Sequence, residues 1–454
     1  MSEIFFIFVL FRFTLISMYQ LLKFLIGWGL RLYYREIHVI NQASLQKKGP
    51  LILIANHPNT LMDAWLIALY ARKDLHFLTK GTFFNSPIKS WFLRNLNMIP
   101  INRNVEERTK GVHNQDSFEA CYEVLKEGKC LVIFPEGNSV MERLIRTFKT
   151  GTARIALHAE SSNQGKLDIQ VVPLGLFYSQ GDSFRSSIYM EVGDSICVRD
   201  YLNEYESDKQ PAVKRLTQSM QASVESLLFN FTSKEEEALL EELAWNHQLN
   251  VPNKKVSRLF HEYRSLHHQV KYLIRDENAL KEVRILLDAI QKQAKQLNIH
   301  ATNRHTYPPI LKNNQNTFVR LLWLIPTIPI LVYGMMQSII PFKLTGFLVP
   351  KLVKNKEFYA PVAVLFGLVL YPLTYLLFSW MFYRMVNPSL VWTSVYFISL
   401  PLSGMLSYYL FHEWILTKTG IRERLIGKEK RGAISELLTE IAVLKKKMDS
   451  LSND

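Results

Sequence analysis

An α/β fold with a largely parallel sheet and flanking helices is predicted for the middle of this chain, with membrane-associated helices before it and transmembrane helices after it. Three observations predict it. Strand and helix patterns alternate from Glu36 to about residue 200 at the spacing of βαβ units. Two buried-strand patterns end in polar clusters: Asn56-His57-Pro58-Asn59-Thr60-Leu61-Met62-Asp63 after Pro50 to Ala55, and Pro135-Glu136-Gly137 after Leu131 to Phe134. The chain has 454 residues and is 48% hydrophobic, and its apolar excess gathers at residues 4–30 and 321–411 rather than in the middle. The organisation expected is a membrane-associated helical segment (1–35), an α/β domain (36–211), a charged helical segment (212–317), a transmembrane region (318–415) and a basic tail with an amphipathic helix (416–454).

Residues 4–30 are apolar but interrupted by Arg12 and Lys23, whose long side chains can snorkel from a shallow helix pair. A monotopic helical hairpin is therefore expected in preference to a single span. Glu3, the lack of a basic leading region and the lack of a small-residue cleavage site argue against a cleaved signal peptide.

Glu36 to Ile40 alternates as a short strand, Lys47-Lys48-Gly49-Pro50 is a turn, and Leu51 to Ala55 is a buried strand. Pro58 suits a turn or a first helical position, so a helix is expected over Leu61 to Tyr70, with Thr60 or Asn59 as cap. Six positions on a straight helix would set His57 and Asp63 about 240° apart at about 3.6 residues per turn. The two can meet only if His57 lies in the loop and Asp63 in the first helical turn. Further strands are expected at Leu75 to Thr79, Met98 to Ile101, Cys130 to Phe134, Ile169 to Leu176 and Ser187 to Val192, with helices at Ser117 to Glu127 and Gly151 to Ala159. Such sheets collect ligands outside the carboxyl ends of their strands, where His57 and Glu136 sit.

From Ala212 to His300 the chain is charged and helix-forming, and its charges read as solvated faces. His247, His261, His267 and His268 fall here without metal-ligand spacing, and no metal is expected. Cys121, Cys130 and Cys197 likewise show no metal or redox spacing and point to packing in a reducing compartment. The net charge of +14 is carried largely beside the apolar segments, which favours lipid headgroups over nucleic acid as partner.

Three uncharged stretches, Leu321 to Phe342, Phe358 to Tyr383 and Val391 to Phe411, are each long enough to span a bilayer. Basic residues on the 343–356 loop and the tail put the last two in a hairpin with both ends cytoplasmic, and the α/β domain on the cytoplasmic face. The first, with Pro326 and Pro329 and basic residues at both ends, reads as re-entrant. The tail repeats apolar residues at Ile434, Leu437, Ile441, Leu444, Met448 and Leu451. Docking of an amphipathic helix and a homodimeric coiled coil account for that pattern equally well.

The chemistry of the two polar clusters can be stated from residue types. A histidine titrates close enough to neutrality to take a proton from a hydroxyl, and a carboxylate on its other ring nitrogen fixes the tautomer. Taken singly, His57 reads as a surface turn residue and Asp63 as a carboxylate stabilised by a helix dipole. Lys80 and Gly81, past another strand, can offer a charge and close backbone approach. Lys149, just before the helix start at Gly151, is an anion-binding candidate that competes with an ordinary solvated lysine.

Four motifs in order, NHPNTLMD, then KGTFF with NMIPINR, then FPEGNSVMERLIRTFKTG, then VVPLGLFY, resemble those of the glycerolipid acyltransferases over residues 20–200. The resemblance implies that His57 and Asp63 are catalytic. It implies that Arg103 clamps the acceptor's phosphate, for which a surface pair with Glu106 or Glu107 is the alternative, and that Glu136 positions the acceptor while Gly137 lets the chain turn. Lys80 and Lys149 would then be further substrate contacts. Two departures stand out. Five residues separate His57 from Asp63, one more than is commonest in the family, which resembles the glycerol-3-phosphate and dihydroxyacetone-phosphate branch. Asn138-Ser139-Val140 replaces the usual Thr-Arg-Ser. The expected activity is fatty acyl transfer from acyl-CoA or acyl carrier protein to glycerol 3-phosphate or dihydroxyacetone phosphate, with no cofactor. Acylation of lysophosphatidic acid is the enzymatic alternative, and a non-catalytic lipid-binding membrane protein the alternative of another class.

Overall fold

The computed structural model describes residues 18–102, 114–229, 231–248, 255–296, 322–425 and 428–450. The chain forms two compact units, one of Met1–Asn230 with Val353–Leu365, the other of Phe231–Leu352 with Phe366–Asp454.

The first unit is built on one sheet. Its strands are β1 (Glu36–Ile40), β2 (Leu51–Ala55), β3 (Leu75–Lys80), β4 (Met98–Ile101), β5 (Cys130–Ile133), β6 (Gln170–Tyr178), β7 (Ser187–Val192) and β8 (Ile196–Cys197). They lie in the order β1-β7-β6-β2-β5-β3-β4, with β8 beside β6. Pairing is parallel except where β6 meets β7 and β8. The central strands β2 (Leu-Ile-Leu-Ile-Ala) and β5 (Cys-Leu-Val-Ile) are buried at every residue, as strands covered on both faces require. Burial pushes the thiols of Cys121 and Cys130 up to about 12, which keeps them protonated packing groups.

The helices of this unit are α1 (Met18–Tyr33), α2 (Leu61–Tyr70), α3 (Pro87–Asn95), α4 (Asn114–Lys126), α5 (Gly151–Ser162), α6 (Leu202–Ser207) and α7 (Lys209–Ser226). The chain leaves β2 through α2 toward β3 on one side, and leaves β5 through α5 toward β6 on the other. Right-handed crossovers in opposite directions place their helices on opposite faces. Accordingly α1 packs on α2, while α4 and α7 pack on α5. The reversal opens a crevice at the carboxyl ends of β2 and β5.

The strands fall where the apolar runs predict them, with two extensions. β6 continues to Tyr178, and the short β8 returns beside its first residues. Pro173 is tolerated in this central strand because it lies between the residues that pair β8 (Gln170, Val171) and those that pair β7 (Leu174 to Tyr178), where no ladder N–H is required of it. The sheet-bearing unit also runs past the boundary expected at residue 211, because α7 packs its apolar face onto β6 and β2. The Lys23 ammonium donates to the Ala71 carbonyl at 2.8 Å, and burial lowers its pKa. The expected hairpin partner of α1 lies outside the described residues.

The second unit contains α8 (Lys234–Gln248), α9 (Val256–Arg275), α10 (Glu277–Gln296), α11 (Ile328–Leu352), most of α12 (Tyr359–Val386), α13 (Leu390–Leu425) and α14 (Lys428–Ser450). Among the described residues three stretches, Leu322–Leu352, Lys356–Val386 and Leu390–Trp414, are long and apolar enough to cross a membrane. The re-entrant path expected for the first is not what forms. Pro326 lies in a 3-10 turn and Pro329 in the first turn of α11, positions that need no N–H donor, so they open the helix instead of breaking it. The helix then continues through the expected 343–356 loop as far as Leu352.

The α11 and α13 helices pack through small residues. The Gly334 Cα lies against the Ser403 carbonyl and Ser407, and Gly404 lies against Ser338. The tail helix α14 docks in cis: Leu437, Ile441, Leu444 and Met448 are buried, α14 packs on α10 and α8, and Gln293 donates to Glu440 at 2.8 Å. Its apolar seam is thus already covered, as in the docking alternative. His267 lies 3.3 Å from the buried carboxylate of Glu236, a structural pair inside the helical layer.

Candidate active site

Three connections converge at the crevice: residues 56–60 after β2, residues 134–150 after β5, and Tyr178 at the end of β6. Asn56 begins the first. Its side-chain amide donates to the Leu176 carbonyl at 2.9 Å and accepts from the Leu176 N–H at 2.8 Å, which extends the β2–β6 contact one residue beyond the strand. His57 follows in the loop, and Asp63 lies in the first turn of α2. This is the arrangement their spacing demands, and His57 Nδ1 lies 2.9 Å from Asp63 Oδ2.

Asp63 is fully buried and accepts from three donors. Besides His57, the Asn59 N–H donates to Oδ2 at 2.8 Å and the Tyr178 hydroxyl to Oδ1 at 2.6 Å. Three donors offset the cost of burying a carboxylate and leave it acceptor-only, so the imidazole must present Nδ1–H to it. In the neutral ring Nε2 is then the basic nitrogen. The ring plane is held by Phe134, stacked on it at 3.8 Å with 10° between planes. Burial raises the Tyr178 phenol well above its ordinary range, so it remains a donor.

Glu136 ties the second connection to the first. One carboxylate oxygen accepts the His57 N–H at 3.0 Å and the other the Arg146 N–H at 3.3 Å. Burial pushes its pKa up to about 7, against the opposing pull of those two N–H bonds and of the Arg146 guanidinium. Gly137 turns at φ +78°, and the Lys149 side chain lies across it so closely that a Cβ would come within 2.8 Å of Nζ. Glycine is therefore favoured by conformation, while the flexible end of Lys149 can give way to a Cβ. Lys149 thus reaches the FPEG turn while remaining an exposed residue, and α5 starts two residues later.

Lys80 ends β3 on the same carboxyl edge, half-buried and in register with Ile101 of β4. Arg103, with Glu106 and Glu107, lies outside the described residues. Thr60 occupies the cap position expected for it but makes no side-chain cap bond. It adopts φ 44°, ψ −118°, and its N–H donates to Ser139 Oγ at 2.9 Å. Sequence reasoning passed over Asn56, Asn59, Thr60, Phe134, Ser139 and Tyr178 as site builders. Each stands within or beside a quoted motif, but only the crossing of three chain segments gives it a partner.

Residues 36–176 match the family model described as Acyltransferase. Over 120 residues the chain is 30% identical to a glycerol-3-phosphate O-acyltransferase of Saccharomyces cerevisiae, covering 26% of this chain and 16% of that protein. Over 127 residues it is 28% identical to a chloroplastic 1-acyl-sn-glycerol-3-phosphate acyltransferase of Arabidopsis thaliana, covering 28% of this chain and 32% of that one. The crystal structure of the 1-acyl-sn-glycerophosphate acyltransferase of Thermotoga maritima aligns at 20% identity and a TM-score of 0.35, over 51% of this chain and 91% of that one. The chain spans well under half the length of those two sequence relatives. Residues 36–176 are an acyltransferase-family domain, and His57, Asp63, Glu136, Gly137, Lys80 and Lys149 all lie within it.

Proposed function

We propose that the chain is a membrane-bound glycerolipid O-acyltransferase that transfers a fatty acyl group from acyl-CoA, or acyl carrier protein, to the hydroxyl of glycerol 3-phosphate or dihydroxyacetone phosphate. The observation that carries the reading is the His57–Asp63 pair at 2.9 Å, held at the crevice of an acyltransferase-family domain. His57 Nε2 takes the proton of the acceptor hydroxyl as its oxygen bonds to the thioester carbonyl carbon. The tetrahedral intermediate collapses with cleavage of the C–S bond, and the thiolate leaves with the proton returned by the imidazolium. Asp63 stabilises that imidazolium and holds its tautomer. A thioester already carries a good leaving group, so the reaction draws on no covalent enzyme intermediate and no cofactor.

Glu136 sets the FPEG turn against the backbone of His57, and Lys149, Lys80 and Arg103 are assigned to the phosphate of the acceptor. The longer His–Asp spacing supports the first acylation. Similarity to a 1-acyl-sn-glycerol-3-phosphate acyltransferase supports lysophosphatidic acid as the second candidate acceptor. The basic residues around the apolar stretches support membrane lipid as the partner and the cytoplasmic face as the side of the α/β unit.

The test is transfer of labelled acyl groups by the full chain in detergent to glycerol 3-phosphate, dihydroxyacetone phosphate and lysophosphatidic acid, beside His57→Ala. General-base catalysis contributes about 10²–10⁴-fold, so the variant should lose at least about a hundredfold in kcat while still folded. No transfer to any acceptor from either donor would leave lipid binding as the function. The preferred acceptor decides between the two acylations.

A further inference from the structure

Thr60 is the most strained described residue in the crevice. A β-branched side chain at φ 44° is a genuine outlier, and such conformations cost on the order of 1–3 kcal/mol and persist only where the surroundings over-determine them. Its position explains what the strain accomplishes. Thr60 lies between Asn59, whose N–H bonds Asp63, and Met62, whose N–H returns to the Asn59 carbonyl at 2.9 Å. The positive-φ turn at Thr60 leads into the first turn of α2, which carries Asp63 back to the imidazole.

Two bonds hold this conformation, and neither is local. The Thr60 N–H donates to Ser139 Oγ at 2.9 Å. The Thr60 hydroxyl donates to the backbone carbonyl of Glu357 at 2.9 Å, 297 residues away. Glu357 lies in the 3-10 turn Lys356–Phe358, within Val353–Leu365, the segment that belongs to the α/β unit although it connects α11 to α12. Ala360, just beyond, is completely buried, and Thr60 is 7% exposed.

We infer that the connection between the first two membrane-length helices is a structural part of the active-site mouth, and that Thr60 is a positioning residue that transmits its docking to the His57–Asp63 pair. The connection between those helices is then more than a linker: it supplies the carbonyl that holds the catalytic turn. The inference rests on the proposed acyl transfer for its catalytic part, and on the Thr60–Glu357 bond for its structural part.

The experiment has two arms, both on the full chain in lipid nanodiscs. In the first, Thr60→Val keeps the branched shape and removes the donor, whereas Thr60→Ser keeps the donor. Thr60→Val is expected to lower kcat about tenfold with KM changed less than twofold, and Thr60→Ser to stay within about twofold of the parent, the scale of one lost hydrogen bond. A residue that merely stabilised the fold would lower Tm and leave the kcat of the folded fraction unchanged, and that result overturns the positioning role. In the second arm, Leu61→Cys and Lys356→Cys are combined with Cys197→Ser and a protease site within residues 300–310, and the protein is treated with a flexible bis-maleimide. The two fragments are expected to stay joined after cleavage, and to separate when the second cysteine is placed at Arg384 instead. Separation of the Leu61/Lys356 pair overturns the docking. Joined fragments in a protein without acyl transfer overturn the catalytic reading alone and leave the docked connection in place.

Discussion

Tyr178 shows how a single hydroxyl can matter at this site. Its O–H reaches Asp63 at 2.6 Å inside a fully buried cluster, so Tyr178→Phe leaves a buried carboxylate oxygen short of a donor, a loss of about 1–3 kcal/mol. The expected outcome is a Tm lowered by several degrees and a kcat reduced about tenfold, measured by calorimetry and initial rates on the same preparation. Glu136 carries a pH signature instead. Its folded-state pKa of about 7 lies above the ordinary 4.5, so the folded state binds the proton more tightly than the unfolded one. The stability this provides is complete below about pH 4.5 and is lost as pH rises through about 7. Glu136→Gln removes the titration, so its Tm relative to the parent should climb between pH 5 and 7.5 and then level off; a constant difference would refute the buried-carboxyl assignment. Of these residues His57, Asp63 and Glu136 were legible as polar breaks after apolar strands. Tyr178 was not, because a tyrosine ending a strand has no partner until β6 lies beside β2.

Among the elements, the strands were legible because fully apolar runs of four to six residues have few other uses, and β2 and β5 fell where those runs predict. The first membrane-length stretch was misjudged. Pro326 and Pro329 stand where α11 begins, and Pro341 and Pro350 lie inside it without ending it. The packing of that helix makes a sharp prediction. A Cβ at Gly334 would come within 2.1 Å of the Ser403 carbonyl, whereas one at Gly346 meets nothing within 4 Å. Gly334→Val should therefore separate α11 from α13 and cost several degrees of thermal stability in detergent, and Gly346→Val should stay near the parent. Equal effects would mean that helix propensity, not close approach, is being measured.

At the scale of the whole molecule, the tail decides between two uses of one heptad pattern. Periodicity alone describes a helix with one apolar face, and a second copy or the chain's own helices can cover it. Here Ile441 is 3% exposed against α8–α10, so Ile441→Asp is expected to release α14, seen as faster tryptic cleavage at Lys445 to Lys447 with no change in sedimenting mass. A halved mass would show the seam to be intermolecular. The same scale explains why the unit boundary moved beyond residue 211. The amphipathic pattern of α7 resembles that of the charged helices after it, and only its packing against β6 and β2 settles which layer it joins.

By itself the sequence determined the α/β class, the strand ends that bear His57 and Glu136, and the three membrane-length stretches, since all of these follow from local hydrophobic periodicity and from residue chemistry within a few positions. Tertiary structure alone decided the rest: that β5 inserts between β2 and β3, that Tyr178 and Ser139 complete the turn around Asp63, and that Glu357 reaches Thr60. Those are contacts between segments up to 297 residues apart, and no local pattern encodes them, because their free energy exists only once the crossovers have brought the carboxyl ends of the strands together.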